Sequence, residues 1–99
     1  MKYEVRYSDE ALEDLERLYD YLITWDPDAA EKSYAVLQRA INLLEDFPFS
    51  CRKAAGDSSF LRELVVPFGS TGYVALFEIE EDHKVTILAI RHQREEDYH

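Results

Sequence analysis

Glycine, proline and cysteine are scarce in this chain, which holds three, three and one of them in 99 residues. The lone Cys51 excludes an internal disulfide and fits a reducing compartment. Gly56, Gly69 and Gly72 stand apart in turn-like contexts, so no glycine-rich phosphate loop is present. His83, His92 and His99 lack the spacing of zinc ligands, and neither a metal nor another cofactor is expected. No stretch approaches the ~20 apolar residues that span a bilayer. The opening Met1 to Arg6 alternates charged and apolar residues, unlike a signal peptide, so the expected location is the cytoplasm, away from membranes.

Positive charge is scarce as well. Lys and Arg total 11 against 21 Asp and Glu, a formal net charge of −10. Such a surface repels phosphate backbones at long range, which argues against broad nucleic-acid binding. It favours a basic protein partner, because opposite potentials steer association. At 46% hydrophobic and 13% aromatic, the remainder is ordinary globular material. The expectation is one domain over residues 1–99.

Lys2 to Tyr7 alternates as a half-buried strand, and Ser8 stands where a helix N-cap belongs, followed by Asp9 and Glu10. Leu12, Leu15, Tyr19, Leu22 and Ile23 predict a helix to about Trp25. Asp26-Pro27 ends it and starts a second, whose face is Ala30, Tyr34, Leu37, Ile41 and Leu44 and which stops near Phe47-Pro48. Pro48 to Ser59 has no periodicity and reads as a loop, long enough to be functional or mobile. Strands follow at Phe60 to Val66, Tyr73 to Glu80 and Lys84 to His92, separated by turns at 67–72 and 81–83. The predicted class is α+β in the order β-α-α-β-β-β, with a helical hairpin packed on a small antiparallel sheet.

Two places could carry chemistry. Arg62 lies in the apolar run Leu61 to Leu64 and needs a partner. An ion pair with a carboxylate such as Glu78 is one reading, and a donor presented to a target is the other. Arg91, His92 and Arg94 form the densest cationic spot on the chain. Either they are a solvated strand end or they form a binding rim. Alternation puts Arg91 on the side of Val85, Ile87 and Ala89, and His92 on the side of Leu88 and Ile90. Cys51 beside Arg52 and Lys53 reads as a plain loop cysteine.

The runs Phe60 to Val66, Gly72 to Ile79 and Val85 to Arg94, behind two helices, resemble the ParE/RelE superfamily of toxins from type II toxin–antitoxin systems. In RelE-like relatives, which cut messenger RNA on the ribosome, a catalytic arginine precedes the Gly-Tyr of the third strand, and another often follows it. Here those places hold Gly69 and Val74. The resemblance therefore points to the ParE-like branch, linked to plasmid stabilisation. It implies inhibition of DNA gyrase by binding, without a reaction on a substrate and with no catalytic residue. The target-binding residues expected are Arg62, Arg91, His92 and Arg94. The implied partners are DNA gyrase and a ParD-like antitoxin, with operator DNA reached only through that antitoxin. The alternative is a RelE-like endonuclease, an mRNA interferase using His92, Arg94 and Tyr98. A non-toxic regulatory module is a third possibility.

Overall fold

Ser8 turns the first strand into the first helix, because its Oγ accepts the otherwise orphaned Ala11 N–H at 3.1 Å. The computed structural model describes residues 2–54, 56, 58–69 and 71–94. Strand β1 is Glu4–Tyr7, and helix α1 is Asp9–Trp25. Asp26 then serves two helices. Its N–H donates to the Leu22 carbonyl, and its Oδ1 accepts from Ala29 at 3.2 Å. Helix α2, Pro27–Asn42, thus begins with a capped end and a proline at its first turn, as the sequence predicts.

The remaining strands are β2 (Arg52–Lys53), β3 (Leu61–Phe68), β4 (Thr71–Glu80) and β5 (Lys84–His92). They form one sheet in the order β1-β5-β4-β3-β2, antiparallel except for the parallel β1–β5 edge. The helical hairpin lies on one face. Leu15, Leu18, Leu37, Ile41 and Leu44 meet Val66, Ala75, Phe77, Ile79, Val85, Ile87 and Ile90. The predicted α+β order and the hairpin on a sheet are borne out, and the parallel edge makes the sheet mixed.

Five details differ from the sequence reading. The buried stripe of α1 is Ala11, Asp14, Leu15 and Leu18, while Leu12 and Ile23 are exposed. On α2 the buried position is Ser33 and Tyr34 is exposed, where its ring meets Tyr19 edge-on. The stretch expected to be a structureless loop contains a 3-10 turn at Pro48–Ser50 and the edge strand β2. The expected 67–72 turn is shorter, because Pro67 pairs with Gly72 and Phe68 with Thr71. Pro67 is tolerated because β3 alternates and its missing N–H would face away from β4, beyond the end of β2.

The largest difference is a bulge. Leu76 faces Ala89 but Phe77 faces Ile87, leaving Leu88 as an extra residue on β5. Past Ile87 the β1 side of β5 has no strand partner, and α1 with its N-cap satisfies the backbone groups exposed there. Ser8 Oγ donates to the Leu88 carbonyl at 3.1 Å, and Asp14 Oδ2 accepts the Ile90 N–H at 2.8 Å. Asp14 is only 2% exposed, so its carboxylate needs such partners inside the fold.

Asp14→Ala should lower stability by about 1–3 kcal/mol, because it leaves a buried N–H unmet. Asp14→Asn keeps an acceptor and should lose less; equal losses in urea melts would contradict that assignment. Gly72→Ala is expected to cost about 1–3 kcal/mol as overpacking. A Cβ there would collide with the Val66 carbonyl oxygen and crowd Pro67 Cα at 3.0 Å. An unchanged melting midpoint for Gly72→Ala would overturn that reading.

Candidate functional site

Between the second half of α1 and the β3–β4 turn lies an open groove of about 880 Å³. Helical spacing builds one wall. Arg17 and Tyr21 are four residues apart, as are Leu18 and Leu22, so each pair shares a side of α1. The opposite wall comes from the sheet. Phe68 and Tyr73 pack with ring centroids 6.3 Å apart, and Gly69 makes the turn with φ of +63°. The end of β5 adds His92 and Arg94.

Asp14 ties the groove to the core. Its Oδ1 lies 3.7 Å from an Arg17 guanidinium nitrogen, while its other oxygen holds the bulge. His92 is fixed on three sides. Its Nε2 is 3.0 Å from Thr71 Oγ1, its Nδ1 accepts the Arg94 backbone N–H at 3.2 Å, and Tyr73 meets it edge-on at 5.6 Å. With Nδ1 accepting, the proton sits on Nε2 and donates to Thr71. Both ring nitrogens are therefore engaged in structure. The groove presents guanidinium charge beside tyrosine and phenylalanine rings, which suits recognition of carboxylate or phosphate next to apolar groups.

The sequence-predicted residues fall in three separate places. His92 and Arg94 line the groove together. Arg91 faces Val74 on the sheet's other side, and its Nη1 lies 3.4 Å from the His92 carbonyl oxygen. The bulge corrects the alternation argument, because the extra Leu88 shifts Ala89 and Arg91 away from Val85 and Ile87. Arg62 sits six residues before Phe68, roughly 20 Å along β3. Its predicted pairing with Glu78 is also corrected, since Glu78 faces Leu61 and Arg62 bonds to backbone instead. The Arg62 guanidinium donates to the carbonyls of Ser59 (2.7 Å), Phe49 (3.2 Å) and Cys51 (2.8 Å). Tyr98, named in the endonuclease alternative, lies outside the described residues.

Arg17, Tyr21 and Thr71 belong to the groove although the sequence singled out none of them for it. The i, i+4 spacing of Arg17 and Tyr21 was a usable signal; Thr71 carried none. Burial pushes the Cys51 thiol up, against a smaller lowering by Arg62, which leaves a thiol rather than a reactive thiolate at neutral pH. Among the described residues no group of three His, Cys, Asp or Glu side chains could hold a metal ion, and no helix is long and apolar enough to cross a membrane.

Solved structures share this architecture. The chromosomal ParDE toxin–antitoxin system of P. aeruginosa contains a chain that superposes with a TM-score of 0.73 at 17% identity, covering 92% of this chain and 96% of that one. A chain of the RelBE2 toxin–antitoxin complex of Mycobacterium tuberculosis gives 0.60 at 23% identity, covering 93% and 99%. At these identities the likeness is one of fold. No curated protein matches the sequence significantly. The family model for the ParE toxin of the type II toxin–antitoxin system parDE matches residues 5–97, and the chain belongs to that family.

Proposed function

We propose that this toxin acts by binding and inhibiting DNA gyrase in the cytoplasm, and that a ParD-like antitoxin neutralises it. The observation that carries the reading is that two positions, Gly69 and Val74, lack the arginines expected of a cleaving relative. His92 is held by Thr71 and the Arg94 backbone, a fixed orientation that suits a binding surface. Arg17 is anchored on Asp14. Gly69 and Val74 occupy the places where endonuclease relatives carry arginines, and Val74 faces away from the groove, opposite Val65 and Arg91. A recognition surface is supported better than a cleavage site.

An antitoxin partner is favoured by the family and by the two solved relatives, both of which are toxin–antitoxin systems. Operator DNA would be reached through that antitoxin, since a chain of net charge −10 is a poor ligand for DNA.

Removing Arg94, a groove guanidinium, should weaken gyrase binding. The loss of a charge-assisted contact of about 1–3 kcal/mol corresponds to roughly tenfold to hundredfold in affinity for Arg94→Ala. Arg91→Ala, on the other face, should weaken it less if the groove is the contact. Tyr98→Phe removes only a hydroxyl and should leave growth inhibition intact, whereas an endonuclease using that hydroxyl for proton transfer would be crippled. Growth inhibition, with folding checked by circular dichroism, reads all three. Abolished toxicity in Tyr98→Phe, with ribosome-dependent RNA cuts by the parent, would replace this reading with the endonuclease one.

A further inference from the structure

The far end of β3 carries a second surface, apart from the groove. Phe49 and Phe60 stand edge to face with centroids 6.1 Å apart, and the Arg62 guanidinium lies 5.4 Å from the Phe49 ring centre. Both rings are about half exposed, and Leu43 and Phe47, just upstream, are exposed at 57% and 62%. Single exposed apolar residues mean little, but Phe49 and Phe60 touch while both remain about half exposed, and such a pair marks an interaction surface.

Charge says what fits there. Lys53 faces Arg62 across the β2–β3 pair, so two cations share one side of the sheet. Like charges directly opposite one another are unfavourable. On the other side the neighbouring pair, Arg52 and Glu63, is neutralised by an ion pair at 3.1 Å. Among the described residues neither Lys53 nor Arg62 forms an ion pair, and Arg62 spends its hydrogen bonds on neutral carbonyls. Two cations without an acidic partner among the described residues, beside exposed aromatic rings, are out of character on a chain of net charge −10.

We propose that this corner is a docking surface for an acidic peptide segment of a partner protein, with apolar side chains against Phe49 and Phe60 and a carboxylate received by Lys53 and Arg62. The inference stands apart from the gyrase reading, which concerns the groove. The net charge of the whole molecule favours a basic partner, whereas this corner selects the opposite sign. A peptide is favoured over a nucleic acid because two cations cannot offset the repulsion between an acidic protein and a long polyanion. Carboxylate binding supplies orientation, and the rings supply apolar area.

The test uses the intact protein and two short labelled peptides with identical Leu and Phe positions, one carrying Glu between them and the other Lys. Fluorescence anisotropy should show the Glu peptide binding at least about tenfold more tightly, a difference of about 1.4 kcal/mol. Lys53→Glu should reverse or erase that preference, and Phe60→Ser should weaken the Glu peptide while circular dichroism stays unchanged. Amide shifts in NMR should cluster at residues 47–53 and 59–62. Equal binding of both peptides, no binding of either, shifts centred on the groove, or tighter binding of a single-stranded oligonucleotide would overturn the proposal. Self-association through these rings, seen as a dimer that Phe60→Ser dissolves, would overturn it too. Gyrase inhibition is read separately, so its failure leaves this result interpretable.

Discussion

An unpaired backbone amide cannot be left inside a protein, and that constraint organises this one. The extra Leu88 lets β5 keep Val85, Ile87 and Ile90 all facing the helices, which strict alternation forbids. Because β1 ends opposite Ile87, the Leu88 carbonyl and the Ile90 N–H at this bulge must be satisfied from outside the ladder, and Ser8 and Asp14 do so. Helix α1 is thereby held against β5 by polar bonds as well as apolar packing. Asp14 also steadies Arg17, so the contact that closes the core positions one wall of the groove.

The same bulge decides which basic residues act together. Without it, Arg91 would lie on the helix side and His92 on the other. With it, His92 turns toward Thr71 and Tyr73, and Arg91 is sent to the opposite face beside Val74. A cluster compact in sequence is split in space. Arg62 is separated further still, and serves as a clasp for the carbonyls of Ser59, Phe49 and Cys51.

Much of the fold was legible in the sequence because local chemistry and tertiary structure agree there. Ser8, Asp26 and Pro27 mark helix ends by mechanisms that need no distant contact. The strand runs likewise carry their own pattern. What stayed hidden depends on partners far along the chain. The bulge is invisible in Val85 to His92, and Asp14 looks like any acidic residue of a helix until it is seen to lie against Ile90. The parallel β1–β5 edge and the two-residue β2 are set by the sheet they join, not by their own residues. The groove was half legible: His92 and Arg94 stand out by charge, whereas Thr71 enters only through the register of β4 with β5.

Under the function we propose, the toxin works by occupancy of gyrase and not by turnover. Titration of purified protein into a DNA supercoiling reaction at fixed gyrase concentration tests this most directly, beside a translating-ribosome cleavage assay. Inhibition that rises in proportion to toxin and saturates near stoichiometric amounts, with intact messenger RNA, is the predicted result. Unaffected gyrase, with substoichiometric toxin cutting many messages on the ribosome, would contradict it.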